Sequence, residues 1–258
     1  DPGVRRACEG GRHGRLHYRP KLNPRSWSRR PVASPQRGRE AYENQNPSSI
    51  LSPLESYGTK LSHRSMRIVG ILLAAGFSTR FGTNKLLAPL PAGGPEAGTP
   101  VAVAAARHLI EALPEPVAVV RPRAQKVSQL LREAGCRTAI CRNAAQGMGT
   151  SLAAGIRAAG DADGWVIALA DMPFIRAETI RRIAMALQEG AAIAAPACGG
   201  ERGHPVGFAR RFHDDLLALT GDEGARAILK AHPDWITLYE TGDRGVLRDV
   251  DVPGDLAS

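Results

Sequence analysis

The run IVGILLAAGFSTRFGTNKLL, residues 68–87, decides the fold. Residues 68–74 are aliphatic or small without a polar interruption, which predicts a strand buried on both faces, the kind that parallel sheets contain. Ala75 and Gly76 follow, and Arg80 and Lys85 then stand five residues apart in a turn that Gly76 and Gly82 open to close backbone approach. Successive N–H groups of such a turn can face phosphate oxygens, with Arg80 offering a planar fork and Lys85 a mobile point charge. The run matches neither the GxxxxGK[ST] pattern of P-loops nor the GxGxxG dinucleotide fingerprint. An ordinary strand-to-helix turn with solvated cations fits the same letters.

From Met66 onward, short aliphatic runs alternate with amphipathic stretches, the pattern of βαβ units and a mainly parallel sheet. The remaining predicted strands are 117–121, 138–140, 165–170, 191–197, 235–240 and a closing VLRDVDV at 246–252. Helices are predicted over 99–113, with Thr99 as N-cap and Pro100 at the first helical position, and over 124–135, 149–160, 177–190, 211–219 and 222–231. In open parallel sheets ligands bind outside the carboxyl ends of the strands. The loops to inspect therefore follow Ala74, Ile140 and Ala170, and the last of these begins with Asp171. A carboxylate there suits Mg²⁺ bridged to polyphosphate, and equally suits a turn or helix cap.

Charge is unevenly distributed. Residues 1–65 hold 13 Lys+Arg against 5 Asp+Glu, so the leader carries +8 of the net +9 and the rest of the chain +1. A nearly neutral folded part excludes the basic face that nucleic-acid binding needs. The leader is rich in Arg, Pro, Ser, Gly and Asn, which predicts disorder, and residues 66–258 form the domain. Because Met66 stands directly before the first strand, a mis-called start is the favoured account of the leader; a transit-like peptide and a basic tail are the alternatives. No apolar run could serve as a signal-peptide core or a membrane span. Cys8, Cys136, Cys141 and Cys198 form no CxxC pair and no Cys/His metal spacing, consistent with reduced thiols in a cytoplasmic protein.

Six segments occur in a fixed order: LLAAGFSTRFGTNKLL, NAAQGMGTSLAAGI, LADMPFI, RGHPVGF, GDEGAR and DVDVPGDL. In this order they resemble the molybdenum cofactor cytidylyltransferase-like family, within the wider guanylyltransferase-like group of NTP transferases. The resemblance spans about residues 67–256. It implies a Rossmann-like three-layer α/β/α nucleotidyltransferase domain, similar to nucleotide-diphospho-sugar transferases. The implied activity is transfer of CMP from CTP to molybdopterin-bound molybdenum, with Mg²⁺ and release of pyrophosphate. A molybdenum hydroxylase apoenzyme, or its maturation chaperone, is the implied recipient.

Carried over by position, Leu73, Ala74, Ala75, Gly76, Asn143 and Gly147 would bind the nucleotide together with Arg80 and Lys85. Arg80, Lys85 and Asp171 would be catalytic, Asp171 and Asp251 would hold the metal, and Arg202, His204, Asp222 and Arg226 would face the acceptor. The Leu73-Ala74-Ala75-Gly76 form favours CTP, since the guanylyltransferase branch usually has Leu-Ala-Gly-Gly. Phe81, Val252 and Gly254 depart from the usual Met, Thr and Glu. Three alternatives stay open: another nucleotide or a sugar- or polyol-phosphate acceptor, a nicotinamide-dependent reductase on the same fold, and a non-catalytic nucleotide-binding module.

Overall fold

In the computed structural model the strand predicted at 68–74 is the centre of an eight-stranded sheet, and the residues described are 66–78 and 81–256. The predicted leader, residues 1–65, lies outside them, as does Arg80. Strands β1 (Ile68–Ala74), β2 (Val117–Val120), β3 (Arg137–Ile140) and β4 (Gly164–Leu169) alternate with helices α1 (Val101–Ala112), α2 (Gln125–Glu133) and α3 (Met148–Ala159). After α4 (Ala177–Gln188) come β5 (Ile193–Cys198), β6 (Glu201–Arg202) and β7 (Val206–Ala209). Helices α5 (His213–Leu217) and α6 (Arg226–Ala231) and strand β8 (Ile236–Glu240) complete the order.

The order across the sheet is β3-β2-β1-β4-β7-β5, with β6 extending the β7 side of β5 and β8 on its opposite edge. Strand β1 runs parallel to both neighbours, in register Leu73↔Val119 and Leu73↔Leu169. Its two flanks explain its unbroken apolar run: Leu72 packs towards Leu109 of α1 and Ile183 of α4, while Ile71 packs towards Ile156 of α3. Neighbouring residues of one strand thus feed two separate cores, which makes the three layers. Alternation of strand and helix predicts the parallel part well; β7, in RGHPVGF, runs antiparallel between β4 and β5 and carries no such signal.

Two expectations are overturned. Thr99 does not cap α1: Pro100 occupies that position without a side-chain bond. Thr99 is held extended beside Leu90, whose N–H donates to its carbonyl at 2.9 Å, and its hydroxyl accepts from Arg107 instead. The closing strand at 246–252 does not form either. A 3-10 turn, Arg244–Leu247, which buries Val246, leads into an irregular segment that buries Val250 and bonds to loops rather than to a strand. Val250 N–H donates to the carbonyl of Asp171 (2.9 Å), and the Arg248 guanidinium lies 3.8 Å from the centre of the Phe174 ring. Gly245 is pressed against the carbonyl of Phe174, where any Cβ would collide with it.

Candidate active site

The parallel strands β1 and β4 end side by side, so their loops leave the sheet at one place. Ala170 N–H donates to the Leu73 carbonyl (3.0 Å), which fixes the start of the second loop and with it Asp171. Lys85 opens a 3-10 turn, Lys85–Leu87, capped by Asn84, whose side-chain oxygen accepts from Leu86 N–H at 3.2 Å. Buried Leu86 anchors that turn in the core. The third contributor, Asp251, is held by Asp255, whose carboxylate accepts from the N–H of Asp251 (2.7 Å) and of Val252 (2.8 Å).

These three loops converge on one ammonium group. Lys85 Nζ lies 2.8 Å from Asp171 Oδ2 and 2.7 Å from Asp251 Oδ1, in a residue only 9% exposed. Burial is the largest single influence on Lys85 and favours the neutral amine, but the hydrogen bonds and charges of both carboxylates outweigh it and hold its pKa above the ordinary lysine value. Asp249 stands at the edge of the cluster. Burial first, and then the charges of Asp251 and Asp171, push its carboxyl above the usual range.

A cleft of about 300 Å³ opens beside the cluster, walled by Leu73, Gly76, Ser78, Lys85, Gly147 and Asp171. Ser78 sits in the left-handed region, φ 51°, strained for a residue with a side chain. At the rim Phe77 is half exposed, and the Arg121 guanidinium lies 4.9 Å from its ring centre. A second cavity of about 550 Å³ adjoins the first, sharing Leu73, Met148, Leu169 and Asp222 as walls. It brings Arg202, His204, Asp222 and Arg226 together.

Backbone contact fixes the partition between the cavities. Gly149 N–H donates to the Gly221 carbonyl at 2.8 Å, and a Cβ on Gly147 would run into Gly221 and the Asp222 carboxylate. Gly147 also has φ 114°, a second reason for glycine there. On the far wall His204 is pinned by its own N–H, which donates to the Val246 carbonyl (2.9 Å). Its Nδ1 is buried and has no hydrogen-bond partner among the described residues. Burial, the dominant influence, pulls its pKa below the ordinary histidine value; the Arg202 charge acts in the same direction and Asp171 against it.

Two expected nucleotide residues stand elsewhere. Ala74 is 3% exposed and packs into the α1/α4 core, because alternate residues of a strand face opposite ways. Asn143 is exposed and lines neither cavity; it precedes the 3-10 turn Ala144–Gln146, and the walls come from that turn's alanines and from Gly147. Arg80 lies outside the described residues. Phe77, Met148 and Asp249 escaped the sequence reading. Phe77 and Met148 belonged to motifs already quoted, and a large apolar residue in a glycine-rich loop was the available signal.

The oxygen donors presented by Asp171 and Asp251 fit a hard divalent cation, and the one ammonium they share shows that both reach a single point of positive charge. No group of three or more His, Cys, Asp or Glu is assembled for a metal among the described residues. Two carboxylates match the Mg²⁺ preference for one or two protein ligands completed by water and substrate phosphates. No described helix is long and apolar enough to cross a membrane.

Comparison with known proteins agrees with this architecture. The chain is 30% identical over 202 residues to purine catabolism protein PucB of Bacillus subtilis (strain 168), covering 74% of this chain and 94% of that protein. It is 29% identical over 192 residues to nicotine blue oxidoreductase of Paenarthrobacter nicotinovorans, covering 71% and 92%. A solved nucleotidyl transferase from Methanothermobacter thermautotroptrophicus superposes with a TM-score of 0.61 at 25% identity, over 74% of this chain and 94% of that one. Residues 70–235 match the model of the MobA-like NTP transferase domain. The chain belongs to that family, and it is a nucleotidyltransferase.

Proposed function

We propose that the protein transfers CMP from CTP to the phosphate of a molybdopterin-bound molybdenum acceptor, releasing pyrophosphate with the help of Mg²⁺. The observation that carries this reading is the meeting of Lys85, Asp171 and Asp251 at the wall of the smaller of two adjoining cavities. Transfer between two bound substrates needs such a pair of sites and a concentrated charge beside the reacting phosphates.

In this reading the nucleotide enters the smaller cleft, with its phosphates over Gly76 and Ser78 and beside Lys85. Arg80 and Lys85 bind the triphosphate. Gly147, lacking a Cβ, leaves room for the base or ribose against the start of α3. The acceptor occupies the larger cavity, where Arg202 and Arg226 supply positive charge for its phosphate and His204 offers a ring nitrogen without a partner among the described residues. An acceptor phosphate oxygen attacks the α-phosphorus in line; its O–P bond forms as the bridge to the β-phosphate breaks and pyrophosphate leaves. No covalent nucleophile from the protein is required. A Mg²⁺ ion held by Asp171 and Asp251 would supply neutralisation of the triphosphate charge. The recipient of the product would be a molybdenum hydroxylase apoenzyme or its maturation chaperone. CTP is the preferred donor on the strength of the Ala74-Ala75 pair, of which Ala75 lines the cleft.

The test is pyrophosphate release by the protein with Mg²⁺ and each of CTP, GTP, ATP and UTP, with and without molybdopterin-bound molybdenum. Release that needs both CTP and the acceptor supports the proposal; release with another nucleotide replaces the donor. A second reading, a nicotinamide-dependent reductase, is favoured by one relative's name, nicotine blue oxidoreductase. It requires NADH or NADPH oxidation and no pyrophosphate.

A further inference from the structure

Lys85 has two positions to fill and one ammonium to fill them with. It walls the cleft in which a triphosphate would lie, yet its Nζ is held at 2.8 Å by Asp171 and at 2.7 Å by Asp251. A cation seated where the ammonium now bridges the two carboxylates would use the oxygens that Lys85 occupies, Asp171 Oδ2 and Asp251 Oδ1. Two positive charges cannot share that point. Nor can Lys85 bridge both carboxylates and also reach down the cleft to phosphate. Its flexible four-carbon stem, rooted in a turn fixed by buried Leu86, allows the head to move while the backbone stays.

We infer that Lys85 is the resident counter-ion of the metal-free site, displaced from Asp171 and Asp251 by an entering divalent cation and thereby delivered to the triphosphate. This rests on the metal reading proposed above and adds a coupling to it. Before the metal arrives, the ammonium prevents Asp171 and Asp251, with Asp249 nearby, from facing one another as uncompensated negative charges. Once it arrives, a doubly charged ion replaces the singly charged ammonium between the carboxylates, and the ammonium is released into the cleft as a second positive group. Metal and triphosphate therefore bind cooperatively through a side chain as well as through metal–phosphate bonds.

The experiment is Mn²⁺ titration of the full chain without nucleotide, followed by free-ion electron paramagnetic resonance, for wild type, Lys85→Met, Lys85→Gln, Lys85→Arg and Asp171→Asn. Removing the competing ammonium should tighten Mn²⁺ binding on the order of tenfold in Lys85→Met and Lys85→Gln. Lys85→Arg keeps a competitor and should bind no tighter than wild type, and Asp171→Asn should bind at least about tenfold more weakly. Inorganic tripolyphosphate, which carries phosphates without a base, then reads the coupling: Mn²⁺ should raise its affinity by a larger factor in wild type than in Lys85→Gln.

If Asp171→Asn loses Mn²⁺ but folded Lys85→Gln binds it no better than wild type, the exchange is wrong and the metal site survives. If all five proteins bind Mn²⁺ alike, the metal reading fails and takes the exchange with it. Lys85→Gln keeps a polar group between the carboxylates, so the comparison holds even where Lys85→Met does not fold.

Discussion

The two cavities that meet at Leu73 and Asp222 are built on opposite plans. Around the smaller one, charge is already paired: Lys85 lies between Asp171 and Asp251, with Asp171 placed by the end of β4 and Asp251 by its bond to Asp255. Around the larger one no such ion pair forms among the described residues, and the Nδ1 of His204 is buried without a partner among them, as the Ser78 Oγ is in the smaller. Paired charge beside a strand end suits a reaction centre whose electrostatics must be in place beforehand. An unpaired polar atom in a roomy cavity suits recognition, because a ligand that completes the bond is favoured over one that does not. The difference supports the proposal that nucleotide and metal occupy one side and the acceptor the other.

The sharpest way to break this contrast is Asp171→Ala. It should lower the rate of pyrophosphate release by roughly 10²- to 10³-fold. Its thermal unfolding should stay near wild type, because Lys85 keeps Asp251 as a partner. A wild-type rate in that variant would remove Asp171 from the reaction.

Next in size is a purely structural control. Asp243 is 3% exposed and accepts hydrogen bonds from Arg176 N–H (2.9 Å), Thr179 Oγ1 (2.7 Å) and Gly245 N–H (3.0 Å), tying the start of α4 to the Arg244–Leu247 turn. Asp243→Ala should cost about 2–4 kcal/mol in urea unfolding, since it leaves buried donors unsatisfied. Substrate affinities in the fraction still folded should change little. An unchanged unfolding midpoint would contradict the tie.

On the acceptor side, Arg202→Ala should raise the acceptor KM by about tenfold while CTP affinity measured by calorimetry stays within about twofold. Equal loss of both affinities would erase the distinction between the cavities. Lys85→Ala should do the reverse, weakening CTP binding in the presence of Mg²⁺ with little effect on acceptor binding.

The smallest effect concerns pH. Burial lowers the pKa of His204 in the folded state, so below its ordinary value of 6.5 the unfolded chain takes up the proton first. Stability from this residue is therefore present above pH 6.5 and is lost as pH falls towards the folded pKa. Thermal unfolding of wild type between pH 7.5 and 5, compared with His204→Asn, should show the steeper loss in wild type.

How far the sequence discloses this arrangement depends on whether the signal is local. Strands β1 and β4 and their flanking helices were legible because strands buried on both faces must be continuously apolar, and Lys85 and Asp171 followed because strand ends are where loops converge. That Asp251 reaches the same ammonium was not readable: its position depends on Asp255 and on Val250 bonding to the Asp171 carbonyl, all set by loop packing. The mistaken strand at 246–252 has the same origin. Val246 and Val250 are apolar because each fills a hole in a core, not because they alternate along a sheet. Ala74 was assigned to the cleft from its place in a motif, whereas the period of two along β1 turns it inwards. The insertion of β7 between β4 and β5 pairs segments far apart in the chain, and single-residue preferences cannot report such pairing.

The central claim is that a metal-assisted transfer joins the contents of the two cavities, and pyrophosphate release tests it most directly. With the full chain, shown to be folded, the expected result is release that requires Mg²⁺, CTP and molybdopterin-bound molybdenum together and collapses in Asp171→Ala. No release with any of the four nucleoside triphosphates, in the presence of active acceptor, would contradict it.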